Sequence, residues 1–319
     1  MIRAKNTLLT KCTKVCPSVE FHDYFIYLPS HSRCQQTKTT YMNNFIVPID
    51  FSDASKNAAR YAANISNGLP DAQLILYNVY EALEYGTDSS PLNTGDGEDQ
   101  ARKSIVELAL ESVRTDISNL TNAGISIVAE ENNHFLDTLE AYVLNNDIQF
   151  IVMGTTGSTR LGEMLMGGNT LNIVKRRIVP VIIVPPNAQS TSAKNVMLLT
   201  DFKDLDFTVP INTVKSVLDL FKPQLHIVNV DHEHYVQVTE EYEAKKRKLE
   251  ASLAQYTPEF YFIRLFDFLD AINQFVLDNQ IDLILSFPRR HTFLANVFKT
   301  TSTVKLAYHS HVPIVAITG

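Results

Sequence analysis

The sequence predicts two tandem α/β domains, each built on a doubly wound parallel sheet, and three observations predict it. Blocks of sequence return in the same order in the two halves of the 319 residues. Within the first half, short near-continuous apolar runs alternate with stretches of helical periodicity. Such alternation implies parallel strands joined by right-handed crossovers, with helices on both faces of the sheet. Between the halves lies a polar segment without apolar periodicity, Pro185-Pro186-Asn187-Ala188-Gln189-Ser190-Thr191-Ser192-Ala193.

The repeat is specific. Asn44-Phe45-Ile46-Val47-Pro48-Ile49-Asp50-Phe51-Ser52-Asp53 returns as Asn195-Val196-Met197-Leu198-Leu199-Thr200-Asp201-Phe202-Lys203-Asp204, an offset of 151. Gln73 to Val79 returns as Gln224 to Val230 at the same offset. Phe135-Leu136-Asp137 matches Phe268-Leu269-Asp270, and Val179-Pro180-Val181 matches Val312-Pro313-Ile314, both at an offset of 133. The second copy is therefore 18 residues shorter between its second strand and third helix. There the first copy carries a Gly/Ser/Asp-rich stretch, Gly86 to Asp99, expected to be a mobile loop. The domains are placed at 42–189 and 190–319. Residues 1–41 are polar, lack the apolar stretch of a signal peptide and are expected to be a disordered or untranslated leader before Met42.

The elements of the first copy follow in order. Residues 44–50 read as a strand covered on both faces. Ser52 is a suitable N-cap for a helix with Ala54, Ala58, Tyr61, Ala62 and Ile65 on one face. Leu74 to Val79 is the second strand. A long helix then carries Ile105, Leu108, Ala109, Val113, Ile117 and Leu120 at helical spacing and is expected to close at Gly124. A third strand at Ile125 to Ala129, a helix at Phe135 to Leu144, a fourth strand at Phe150 to Met153, a helix near Leu171 to Arg176 and a strand at Val179 to Val184 complete it. The two last strands, Val179–Val184 and Val312–Ile317, are apolar and are expected to lie together, joining the domains as an intramolecular pseudo-dimer.

Composition narrows the function. Apolar residues are 45% and charged residues 20%, ordinary for a globular chain. The net charge of −7 gives no electrostatic reason to expect nucleic acid or a membrane surface as partner. No apolar run approaches the length of a membrane span, and a cytoplasmic location is expected. The three cysteines, Cys12, Cys16 and Cys34, all fall in the leader and match no zinc spacing. His232/His234 and His309/His311 have metal-like spacing without a third ligand nearby, so no metal site is expected. Lys245-Lys246-Arg247-Lys248 reads as the solvent face of a glutamate-rich helix. No nucleophile–base arrangement can be assembled, and no catalytic residue is assigned.

Ligands of open parallel sheets sit at the carboxyl ends of the strands, where strand order reverses. Asp50 ends the first strand, Gly154-Thr155-Thr156-Gly157 follows the fourth, and Gly167-Gly168-Asn169-Thr170 precedes the last helix. Glycines there admit a phosphate to the backbone, and the helix N-terminus attracts anions. The pattern is neither a P-loop nor G-x-G-x-x-G, and a glycine-rich turn needed only for packing would look the same.

Gly154-x2-Gly157-x9-Gly167, with Val47-Pro48-Ile49-Asp50-Phe51-Ser52 and Val179 to Val184, resembles the ATP-binding signature and framing strands of the universal stress protein family. The resemblance covers residues 42–319 as two copies. It implies five strands per domain in the order 3-2-1-4-5, the adenine-nucleotide alpha-hydrolase-like arrangement, with a nucleotide across strands one and four. It further implies that Asp50 holds the ribose or a metal, that Val79 meets the adenine through its backbone with Pro48 beside it, and that Gly154, Gly157 and Gly167 offer amides to the phosphates. The family's hydroxyl position is Gly168 here, with Asn169 or Thr170 as substitutes. In the second copy the glycines become Phe287, Arg290, Thr300 and Thr301, so no nucleotide is expected there. The expected function is that of an ATP-binding stress-response regulatory or protective protein, with or without magnesium, holding one nucleotide, with a homodimer as a further option. The alternatives are a nucleotide-hydrolysing or nucleotidyl-transfer enzyme, and an interaction module without ligand.

Overall fold

The computed structural model describes residues 43–81, 95–155, 168–188, 192–200, 211–231, 240–264, 268–287 and 311–317. The leader, residues 1–41, lies outside them. The first half runs β1 (Asn43–Pro48), α1 (Asp53–Ser66), β2 (Ala72–Tyr80), α2 (Gly95–Ile117), β3 (Gly124–Glu131), α3 (Phe135–Asn145), β4 (Phe150–Gly154), α4 (Gly168–Arg176) and β5 (Val181–Val184). The second runs β6 (Asn195–Thr200), α5 (Ile211–Phe221), β7 (Gln224–Asp231), α6 (Glu240–Leu253), β8 (Glu259–Arg264), α7 (Phe268–Asp278), β9 (Leu283–Ser286) and β10 (Ile314–Ala316).

All the strands join one sheet in the order β3-β2-β1-β4-β5-β10-β9-β6-β7-β8. Each half is thus a doubly wound sheet of order 3-2-1-4-5, with every internal neighbour parallel. The two meet through β5 and β10, which pair antiparallel with Val315 opposite Ile182. The repeat is also written in the backbone. Asp71 and Lys222 occupy corresponding turns with positive φ, as do Asp147 and Gln280.

The sheet is apolar on both faces, as the near-continuous strand runs require. On one face α1 and α2 cover Phe45, Val47, Leu74, Leu76 and Val152, and the same cluster continues through Val196, Leu198 and Val214 of the second half. On the other face Leu139, Val143, Ile173 and Val174 of α3 and α4 pack on Ile46, Tyr77 and Ile151. Helix α1 starts where expected: Ser52 is its N-cap, accepting from the Ser55 amide at 3.2 Å. Its buried face is mostly alanine, Ala58, Ala59, Ala62 and Ala63, which brings its backbone close to the sheet.

Three expectations are corrected. Ile105 and Leu108 are 66% and 70% exposed, because α2 packs through a stripe in which Val106 and Leu110 take their place, joined to the expected Val113 and Ile117. Both stripes have helical spacing, and periodicity alone does not choose between them. Gly124 does not cap α2, which ends at Ile117; it opens β3 beside Gln73, whose side chain lies where a Cβ would go. Gly95 to Asp99 belong to α2 rather than to a loop, and residues 86–94 lie outside the described residues.

Candidate functional site

The carboxyl ends of β1, β2 and β4 and the N-terminus of α4 enclose a cleft of about 420 Å³. It lies over the switch point between β1 and β4, the neighbours at which strand order reverses. Its described wall includes Pro48, Asp50, Val79, Gly154, Gly168, Asn169 and Thr170. Those seven expected site residues, distant in sequence, are therefore brought together by the sheet. Gly157 and Gly167 lie outside the described residues, as do Asp201, Arg290, Thr300 and Thr301.

Asp50 sits at the mouth. Strand β1 stops at Pro48, although the Ile49 amide still donates to the Tyr77 carbonyl at 2.8 Å. The chain then turns through Phe51, whose φ of 64° is in the left-handed region. A non-glycine residue there costs on the order of 1–3 kcal/mol, and such strain gathers at functional sites. The turn lets the Ser52 amide donate to Asp50 Oδ1 at 3.0 Å and the Ser52 hydroxyl at 2.5 Å. Burial works to raise the Asp50 pKa, but the hydrogen bonds from Ser52 and Ser55 together outweigh it and hold the carboxyl below its ordinary value. The group is an exposed, firmly ionised carboxylate.

The two described glycines differ. A Cβ on Gly154 would lie 2.1 Å from the Ala54 carbonyl oxygen, so this glycine is fixed by the approach of α1 to β4. A Cβ on Gly168 would meet nothing within 4 Å among the described residues. Gly168, Asn169 and Thr170 form the first turn of α4, whose amides have no partners within the helix and whose dipole favours an anion.

Ile49, Val79, Phe135, Met153 and Ala54 give the wall an apolar part, and Ser52, Ser55 and Asn78 add polar groups. Sequence reasoning placed Ser52 and Phe135 in helix starts and did not assign them, Ser55, Met153 or Asn78 to the site. Asn78 left a signal: it is an amide inside the apolar run Leu74 to Val79. Taken together the cleft has an apolar slot, a carboxylate, and a helix N-terminus reached over a small residue.

The second half lacks the same opening at the one cradle position described. Phe287, which corresponds to Gly154, is 5% exposed and packed into the core. Of the histidines with metal-like spacing, His311 is described and exposed. Among the described residues no group of three or more His, Cys, Asp or Glu side chains could hold a metal ion. No helix among them is long and apolar enough to cross a membrane. In α6, Lys246 lies over the Phe260 ring at 5.6 Å, while Arg247 and Lys248 are exposed.

Residues 42–185, the first half, match the model of the Universal stress protein family. Solved structures extend the likeness over both halves. A universal stress protein from Archaeoglobus fulgidus DSM 4304 is 16% identical, with a TM-score of 0.57 over 87% of this chain and 96% of its own. A functionally unknown protein from Pseudomonas aeruginosa PAO1 is 12% identical, with a TM-score of 0.51 over 86% and 92%. The cytoplasmic domain of a prokaryotic cation chloride cotransporter is 9% identical, with a TM-score of 0.50 over 86% and 95%. At these identities they define the fold. No curated protein sequence matches this chain.

Proposed function

We propose that the first domain holds one adenine nucleotide, ATP with or without magnesium, and that the protein acts in the cytoplasm as a regulatory or protective stress protein rather than as an enzyme. The observation that carries the reading is the division of the cleft. Val79, Phe135 and Met153 offer a slot for a base, and Gly154 and the first turn of α4 offer amides to phosphates. Asp50, ionised at neutral pH, stands ready for a ribose hydroxyl or a cation. It is the one ionisable side chain among the described lining residues, so holding a nucleotide is better supported than turning it over. The buried Phe287 favours a second domain without a nucleotide.

Calorimetry with ATP tests the reading. One site per chain is expected. Two sites would show that the second domain binds as well, and no heat at any concentration would favour an interaction module.

A further inference from the structure

Asn78 differs from every other polar residue described in the cleft wall. It is 9% exposed, and its Nδ2 donates to the Ile49 carbonyl at 2.6 Å, tying the ends of β1 and β2 just before Asp50. A carbonyl oxygen can only accept, so the orientation of the amide is fixed, with Nδ2 toward Ile49 and Oδ1 away from it. Oδ1 has no hydrogen-bond partner among the described residues and is shielded from water. A buried acceptor in that condition carries an unrecovered desolvation cost, which a donor brought by a ligand would remove.

We propose that Asn78 reads the base: its Oδ1 accepts from an exocyclic amino group and so selects a 6-amino purine against a 6-oxo purine. The inference rests on the reading of this cleft as a nucleotide site. Ile49, Val79, Phe135 and Met153, in the same wall, suit a flat apolar ring. A 6-oxo base would set a second acceptor against Oδ1 with no proton between them, and both would stay unpaired.

The repeat supplies an internal control. Asn229 stands at the corresponding position of β7 and is also buried, in a half where Phe287 replaces the first cradle glycine. Any role of this asparagine in tying strand ends belongs to both halves, whereas base reading belongs to the first alone.

The test is calorimetry on the full chain with ATP and with ITP, whose base carries oxygen at position 6. Wild type is expected to prefer ATP by on the order of tenfold or more, the scale of one hydrogen bond. Asn78→Leu and the milder Asn78→Ser are expected to bring the two nucleotides near parity by weakening ATP. Asn229→Leu should lower the melting temperature and leave the ATP/ITP ratio unchanged. Equal affinities in wild type would overturn the inference without touching the nucleotide reading, and this result needs no variant to fold. An unchanged ratio in Asn78→Leu and Asn78→Ser would reduce Asn78 to a strand clamp. If neither nucleotide bound wild type, the nucleotide reading would fall first and this inference with it.

Discussion

Gly154 and Ala54 meet so closely that the strand end and the first turn of the helix leave no room for a methyl group, a Cβ on Gly154 falling 2.1 Å from the Ala54 oxygen. The first glycine of the Gly154-x2-Gly157-x9-Gly167 pattern is thus a packing residue as well as part of the cleft wall.

Gly154→Ala should therefore destabilise the domain, by about 1–3 kcal/mol on the scale of overpacked sites. The obstacle is backbone and cannot rotate away. Thermal denaturation with and without ATP would separate this from a binding effect, and an unchanged melting temperature would contradict the packing role.

Gly168→Ser should behave in the opposite way. Nothing among the described residues lies within 4 Å of the new Cβ, and the residue starts α4, where serine is well tolerated. A hydroxyl there adds a donor for a phosphate, worth roughly 1.5–3 kcal/mol for a bond to a charged group. Tighter ATP binding with unaltered stability is the expected result; weaker binding would place the phosphates elsewhere.

Asp50→Ala should weaken ATP binding by about 1.5–3 kcal/mol, while Asp201→Ala should leave it unchanged. The same carboxylate gives a pH signature. Its pKa is lower in the folded protein than in the unfolded chain, so its contribution to stability is complete above the ordinary value of 3.8 and is lost as pH falls through the folded value. Acid titration of unfolding in wild type and Asp50→Ala should show a gap that opens as pH rises through that window and stays constant above it. Equal losses of affinity in the two aspartate variants would mean that both domains bind.

His226 supplies a second pH-dependent element, in the other half. It is buried in β7 with Glu259 Oε2 3.7 Å from Nδ1 and the rings of Tyr261 and Phe275 around it. Burial lowers its pKa, and Glu259 only partly opposes this. The unfolded chain then takes up a proton before the folded one does, so stability should fall as pH drops through the ordinary value of 6.5 toward the folded value. His226→Phe fits the aromatic surroundings and should remove that slope. A variant that kept the wild-type slope between pH 7 and 5 (an ordinary histidine window) would assign it to another group.

The sequence reveals the order of elements because the repeat and the strand–helix alternation are both local patterns. It also marks Asp50 and the glycines after β4, since ligands of such sheets gather at strand ends. What it hides depends on which surfaces meet. Ile105 and Leu108 have helical spacing as good as that of Leu110 and Val113, yet only the second pair faces the sheet. Gly154 reads as a phosphate contact in the sequence, and its closeness to Ala54 depends on how α1 leans across β4. Ser55, Met153 and Asn78 enter the cleft through register and side-chain direction, which no spacing in the chain records.

Because β10 is hydrogen-bonded to β5 within one chain, the contact between the halves has a fixed local concentration. Dilution cannot part them, and each first half is always met by a second half of the same chain. One half can therefore differ from the other at corresponding positions, as buried Phe287 differs from Gly154, while every molecule still holds one of each.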